Sequence, residues 1–151
     1  MSDKVPVVVV VLPFISNKVL MQLRDFKQEI AYPGHWGFFG GSIDSKETPL
    51  EAALREIEEE INIKPLQLCF IGTDFIPNHN FSYIFSFKFN GQLSSLELKE
   101  GLDIDFMTLD DVEKKRFYSK KLQEFFPIVP LPFIAKTIKR CLMTKQSFSN
   151  H

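Results

Sequence analysis

The chain has 151 residues, 44% of them hydrophobic including 16 Phe, and a formal net charge of −1. It is long enough to bury a core as one domain, and its near-zero net charge argues against a wholesale nucleic-acid binder. The charge is uneven, though: residues 1–113 hold 9 Lys and Arg against 18 Asp and Glu, and residues 114–151 hold 9 against 1. An acidic body and a basic tail of this kind attract each other within one fold or draw an anionic partner. Cys69 and Cys141 show no metal or redox spacing and fit a reducing, cytoplasmic setting.

The apolar run from Val5 to Ile15 is too short to span a bilayer. With Asp3 ahead of it, Pro6 and Pro13 inside it and no small-x-small cleavage site, it does not read as a secretory signal either. Val5 to Leu12 is β-branched almost throughout, which predicts a central strand covered on both faces. Asn17 opens a turn, and Lys18 to Arg24 alternates apolar with polar residues, predicting a second strand paired with the first. A loop from Asp25 to Gly34 leads into His35-Trp36-Gly37-Phe38-Phe39-Gly40-Gly41. Gly40 and Gly41 let a ligand approach the main chain closely; no G-x-G-x-x-G follows a strand, so the pair is not a dinucleotide fingerprint.

From Gly41 to Ile63, GSIDSKETPLEAALREIEEEINI specifies a helix and both its ends. Thr48 is the N-cap, Pro49 the first helical residue, and Glu51 closes a capping box. Asn62 tolerates the left-handed position past the last turn, and Pro65 stops the helix resuming. At about 100° per residue, Leu50, Ala53, Leu54, Ile57 and Ile61 share the face that packs on a core. Glu56, Glu59 and Glu60 fall together on the adjacent face, where like charges repel and a cation would relieve the repulsion. Oxygen-only ligands suit Mg²⁺ or Mn²⁺ better than zinc. Taken alone, Glu58, Glu59 and Glu60 would read as a solvated charge run.

The wider spacing resembles the Nudix box, Gly-x5-Glu-x7-Arg-Glu-U-x-Glu-Glu-x-Gly-U with U bulky and apolar. Gly41, Glu47, Arg55, Glu56, Ile57, Glu59, Glu60 and Ile63 fill it, and Asn62 stands where the family has Gly. The six polar and Gly positions coincide by chance on the order of once in 10⁵ chains of this size. Looser similarity in KVLMQLRD and ELKEGLDIDFMTLDDV extends the resemblance over most of residues 5–113. It implies an α/β fold, the Nudix α/β/α sandwich with a mixed β-sheet, as a single domain over residues 1–151. It places WGFFGG on a short strand entering the box. It makes Glu56, Glu59 and Glu60 ligands of Mg²⁺ or Mn²⁺ together with the Gly41 carbonyl, and pairs Arg55 with Glu47 to hold the loop against the helix. The implied reaction is hydrolysis of a nucleoside diphosphate linked to another moiety, in a nucleotide, nucleotide sugar or dinucleotide, with Glu56 the in-box candidate to activate water. Water suits as nucleophile because no Ser or Cys has a nearby His and acid, and His35, His79 and His151 fall in loops or at the terminus. The alternative is a Nudix-fold sensor that binds a nucleotide without turnover; the intact acid set favours the enzyme. The partner implied is a small nucleotide-type molecule, with neither membrane nor nucleic acid, and a homodimer is left open.

Beyond the box, Leu66, Leu68, Phe70 and Ile71 predict a strand within Lys64 to Phe75 that ends near Pro77. Phe81, Tyr83, Phe85, Phe87 and Phe89 then alternate with Ser82, Ile84, Ser86 and Lys88, the clearest strand pattern in the chain. Asn90-Gly91 predicts a tight turn into a return strand with Leu93, Leu96 and Leu98. A further strand carries Ile104, Phe106 and Met107. Thr108 caps a short helix, and a final amphipathic helix is expected at about 131–143, with Lys136, Lys139 and Arg140 exposed and a frayed end from Thr144.

For the substrate, Arg24 and Lys18 are candidates to meet phosphates, and Tyr32, Trp36 or Phe39 to stack on a base. A fourth carboxylate is sought outside the box, because three ligands on one helix see a diphosphate from one side only. Leu96 and Leu98 facing inward turn Glu97 to solvent, and Asp105 falls on the outer face of its strand. Glu100, ahead of Gly101, remains, with Asp103 next. The Glu-Gly pair resembles the position from which many Nudix enzymes bring an extra acid over the metal site, which makes Glu100 a candidate ligand or base.

Overall fold

The structure, a computed structural model, describes residues 5–76 and 79–149; Asp3, Pro77 and His151 lie outside the described residues. Strand β1, Val7–Ile15, is the central strand its composition predicts. One edge pairs in parallel with β6, Asn80–Lys88. The other is divided. β2, Lys18–Leu23, pairs with β1 only at Phe14↔Val19 and Ile15↔Lys18, and β4, Phe39–Ser42, takes over from Val8 to Val11. The short β3, Trp36–Gly37, lies against β2. β5, Cys69–Ile76, forms the far edge beside β6, and β7, Asp103–Met107, pairs with β2. The sheet is therefore mixed.

Alternate residues of β1 separate two cores. Val9 and Val11 pack with Phe39, Phe85, Phe87 and with Ala52, Ala53, Ile57 and Ile61 of helix α1, Pro49–Ile61. Val10, Leu12 and Phe14 pack with Ile84 and with Phe133, Ile134, Ile138 and Cys141 of helix α3, Pro132–Ser149. One helix covers each face, which is the α/β/α sandwich. Among the described residues no helix is long and apolar enough to cross a membrane, and neither cysteine forms a disulfide.

Several local expectations give way to tertiary context. Val19 to Leu23 of β2 are all buried, Gln22 included, because the strand is covered on both faces and does not keep one side wet. No return strand follows Asn90-Gly91. Both edges of β6 are already taken by β1 and β5, so the chain makes a 3₁₀ turn at Leu93–Ser95 and lays Leu93, Leu96 and Leu98 against the α1-side core. In α1 the stripe is shifted: Ala52 is buried and Leu50 is exposed. Ser82 and Ser86 are buried beneath the α3 side rather than facing water. Asp105 is half-buried, and burial raises its carboxyl above the usual range, opposed by a hydrogen bond from the Phe106 N–H and the charge of Lys120.

The basic tail is part of the fold. Helix α2, Leu109–Glu113, begins at a capping box of Thr108 and Asp111. It leads to a hairpin that the sequence reading did not foresee, β8, Arg116–Ser119, with β9, Glu124–Pro127. Helix α3 runs past 143 to Ser149. Arg140 is not simply exposed: it donates to the carbonyls of Thr73 at 2.9 Å and Ile71 at 3.4 Å. Lys136 lies 3.2 Å from Asp74, so the attraction between basic tail and acidic body is made at the edge strand β5.

Candidate active site

The α1 signals act as written. Thr48 accepts from the Glu51 N–H, Glu51 caps back to Thr48, and Asn62 closes the helix in the left-handed conformation at φ 58°. Local capping thus fixes the phase of the helix, and the phase presents Glu56 and Glu60 toward β4 with Glu59 beside Arg55. Arg55 holds the preceding loop to the helix. Its Nε and Nη2 donate to the two oxygens of Glu47 at 2.7 and 2.8 Å, and Nη2 also donates to the Ser42 carbonyl at 3.1 Å. Such a fork-to-fork pair is geometrically specific, and it holds the Glu47 carboxyl down at about 2. Arg55 Nη1 donates further to Glu56 at 3.0 Å and to Glu59 at 3.4 Å.

The three box carboxylates occupy different environments. Glu59 is half-exposed. Glu56 lies over Gly41 so closely that a Cβ there would stand 2.6 Å from Glu56 Cδ. A side chain at position 41 would have to displace this carboxylate from the main chain. Glu60 is buried: Gln22 Nε2 donates to its Oε1 and the Gly40 N–H to its Oε2, both at 3.1 Å. Burial pushes its carboxyl up to about 8, the Gln22 bond opposes this, and the negative charges of Glu56 and Glu100 add to it. Glu56 is also raised, first by burial, with Arg55 opposing and Glu59 and Glu100 adding. Glu100 is exposed on the turn before Gly101, and its field reaches both of these groups. Asp103 is turned away, accepting from Ser119 Oγ at 2.7 Å, while Glu97 is exposed and accepts from Asn62 at 3.2 Å.

As the side chains stand, no three His, Cys, Asp or Glu among the described residues converge into a metal-holding set, since Glu60 is drawn to Gln22 and Gly40 and Glu56 to Arg55. The donors nevertheless fit a hard divalent cation. They are all oxygens, the charges of neighbouring acids add to the burial that raises the Glu56 and Glu60 carboxyls, and Glu59 and Glu100 are open to solvent.

Beside the cluster, a cavity of about 260 Å³ opens between β1, β4 and α3, reaching Gly40 and Gly41 and lined also by Arg24, Tyr32, Phe38, His79 and Phe133. Arg24 donates to the Ala31 carbonyl at 2.7 Å; burial lowers its pKa, and the charge of Glu60 opposes that. Tyr32 Oη lies 3.1 Å from His79 Nε2. None of the cluster's carboxylates lines this cavity, which meets them through Gly40 and Gly41; a larger groove of about 820 Å³, lined by Leu66, Phe87 and Leu96, shares neither the acids nor those glycines, so size does not locate the site.

Three substrate candidates fall away. Trp36 is fully buried, its indole N–H donating to the Phe117 carbonyl at 3.0 Å, and Phe39 is fully buried in the α1-side core; neither ring has a face left for a base. Lys18 sits at the far end of β1, where its charge acts on Asp105. Tyr32 and Arg24 do reach the cavity. Asn80 and Phe133 also line the cavity and were missed. No sequence signal marks them, because α3 meets the sheet only in the folded chain.

The sequence model of the NUDIX domain matches residues 4–127. The chain is 38% identical over 66 residues to an 8-oxo-dGTP diphosphatase of Proteus vulgaris, covering 42% of this chain and 57% of that protein. It is 32% identical over 87 residues to a nucleoside triphosphate pyrophosphatase/Nudix hydrolase fusion protein of Bifidobacterium longum, covering 55% of this chain and 18% of the relative. The match thus spans little more than half the length of one relative and under a fifth of the other. The NUDIX domain of Shewanella oneidensis NrtR, solved with ADP ribose, superimposes with a TM-score of 0.67 at 17% identity, over 95% of this chain and 90% of that one.

Proposed function

The chain belongs to the Nudix family, and we propose on that footing that it is a Mg²⁺- or Mn²⁺-dependent pyrophosphohydrolase of a nucleoside diphosphate linked to another moiety. The observation that carries this reading is the crowding of Glu56 and Glu60 on the Gly40–Gly41 main chain, a stretch that also lines the cavity holding Arg24 and Tyr32, with the charge of Glu100 acting on both carboxyls. Glu56, Glu59, Glu60 and Glu100 would hold the cation with the Gly41 carbonyl. When bound, it neutralises diphosphate charge and lowers the pKa of water.

The chain's own groups do the rest. Arg55 and Glu47 hold the box loop in place, so their loss weakens geometry before chemistry. Arg24 meets a phosphate from the cavity side, and Tyr32 stacks on the base. Glu56, whose affinity for a proton is already raised, takes the proton of the attacking water. The proteins acting on 8-oxo-dGTP and holding ADP ribose support a ligand with a phosphoric anhydride at this place and leave base and leaving moiety to experiment.

The test is a panel of nucleoside triphosphates, nucleotide sugars and dinucleotides with Mg²⁺, following the phosphate products. Turnover of at least one class that EDTA abolishes is expected. Full turnover in EDTA would remove the metal assignment, and binding without turnover across the panel would turn the reading into a nucleotide sensor.

A further inference from the structure

Gln22 is 5% exposed on a strand whose other inward residues are apolar, and it projects to the α1 side of the sheet. A buried amide is tolerated when its polar atoms are used. Its Nε2 donates to the Phe38 carbonyl at 3.2 Å and to Glu60 Oε1 at 3.1 Å. The Phe38 carbonyl can only accept, so the orientation of the amide is set by the network. Its Oε1 lies by the turn at Gly101. A Cβ on Gly101, whose φ is +90°, would stand 3.1 Å from that oxygen and 2.9 Å from the Leu23 carbonyl. The same turn is tied down by the Leu102 N–H donating to the Leu23 carbonyl at 2.9 Å and by the Lys99 N–H donating to the Glu60 carbonyl at 2.8 Å.

One side chain thus touches the strand leading to Gly40–Gly41, the buried box carboxylate and the turn that carries Glu100. We propose that Gln22 is a positioning residue that sets Glu60 and the Glu100 turn in one register around the cation site, and so governs divalent-cation affinity without touching substrate. The proposal rests on the reading of the acid cluster as a cation site. The residue lies outside the box, on the strand face opposite Met21 and Leu23, so the helix cannot supply this contact by itself. Partners that orient metal ligands typically change affinity 10- to 100-fold when removed.

The experiment titrates Mn²⁺ into the full chain and reads free Mn²⁺ by electron paramagnetic resonance, with thermal melts alongside. Gln22→Met should bind Mn²⁺ about 10- to 100-fold more weakly. In a Glu60→Ala background the same change should cost little more, because either substitution removes the one shared interaction. Gly101→Ala, which must push the turn off Gln22, should weaken binding in the same direction while leaving β2 intact. Wild-type Mn²⁺ affinity in a folded Gln22→Met chain, with only the melting temperature lowered, overturns the proposal, as do fully multiplicative losses in the double variant. Should Gln22→Met not fold, unchanged affinity in Gly101→Ala overturns it instead. Failure of the unaltered chain to bind Mn²⁺ removes the cation reading and this proposal with it, an outcome distinct from equal binding by chain and variant.

Discussion

Helix α1 carries its start, its stop and its charged face within 13 residues and two caps, whereas the 18 residues of α3 are placed by what they dock on. The α1 signals are short-range: a hydroxyl and a carboxylate three residues apart, a proline, an asparagine in the left-handed region. They act whatever the rest of the chain does. α3 is seated by Ile134, Ile138 and Cys141 against the sheet and by Arg140 and Lys136 reaching β5, contacts that span about half the chain. The acids of the site belong largely to the first helix, and the second closes one side of the cavity with Phe133 and Ile134. A substitution near α1 should therefore move activity more than stability, and one that supports the cavity wall should do the reverse unless its side chain lines the cavity.

The largest effect is expected at Glu60. Glu60→Gln should cut turnover at least about 100-fold and at the same time stabilise the metal-free chain at alkaline pH. Its folded-state carboxyl stands at about 8 against an ordinary 4.5. Below pH 4.5 both states hold the proton and the group costs nothing. As pH rises from 4.5 to about 8 the unfolded chain releases the proton first, so stability falls by up to about 1.4 kcal/mol per pH unit. Glu56 is shifted in the same direction. Melts in EDTA from pH 5 to 8.5 should slope downward for the unaltered chain, less for Glu60→Gln, and less again with Mn²⁺ present. A rising slope would contradict the burial of Glu60.

The comparison is sharpened by two aromatic residues. Trp36→Ala should cost about 3–5 kcal/mol and leave KM unchanged in whatever folds, because the ring is sealed under Phe117. Tyr32→Leu should do the opposite, holding stability within about 1 kcal/mol and raising KM by up to about tenfold through loss of one stacked ring. Chemical denaturation and initial-rate kinetics on both variants decide it. Exchanged behaviour would return Trp36 to the substrate.

Asn62→Gly should have the smallest effect, within about 0.5 kcal/mol and without change in turnover. Its backbone already sits where glycine is at ease, and its exposed amide donates to the exposed Glu97. A fall in activity at constant melting temperature would show that the Asn62–Glu97 contact steers the neighbouring Glu100 turn.

Much of the fold and the acid half of the site were legible in the sequence. β1, α1 and its caps, β6 and the Thr108 cap follow from periodicity and capping chemistry, which involve neighbours a few residues apart. Helical spacing grouped Glu56, Glu59 and Glu60 for the same reason, since a helix converts spacing into a face, while Glu47 and Arg55 came from the resemblance to the Nudix box. Misreadings arose where coverage decides the meaning of a pattern. The burial of Gln22 was not legible because alternation cannot tell a strand with one solvent face from one buried on both. Leu93, Leu96 and Leu98 read as a strand because nothing local shows that both edges of β6 are occupied. Trp36 and Phe39 read as stacking rings because an aromatic beside a glycine pair looks the same exposed or sealed. By itself the sequence determined which residues are acidic, where α1 begins and ends, and which strand is central. Tertiary structure alone decided which carboxylate is buried, which aromatic keeps a free face, and that Gln22 joins the box helix to the Glu100 turn, because those properties depend on what lies across the sheet.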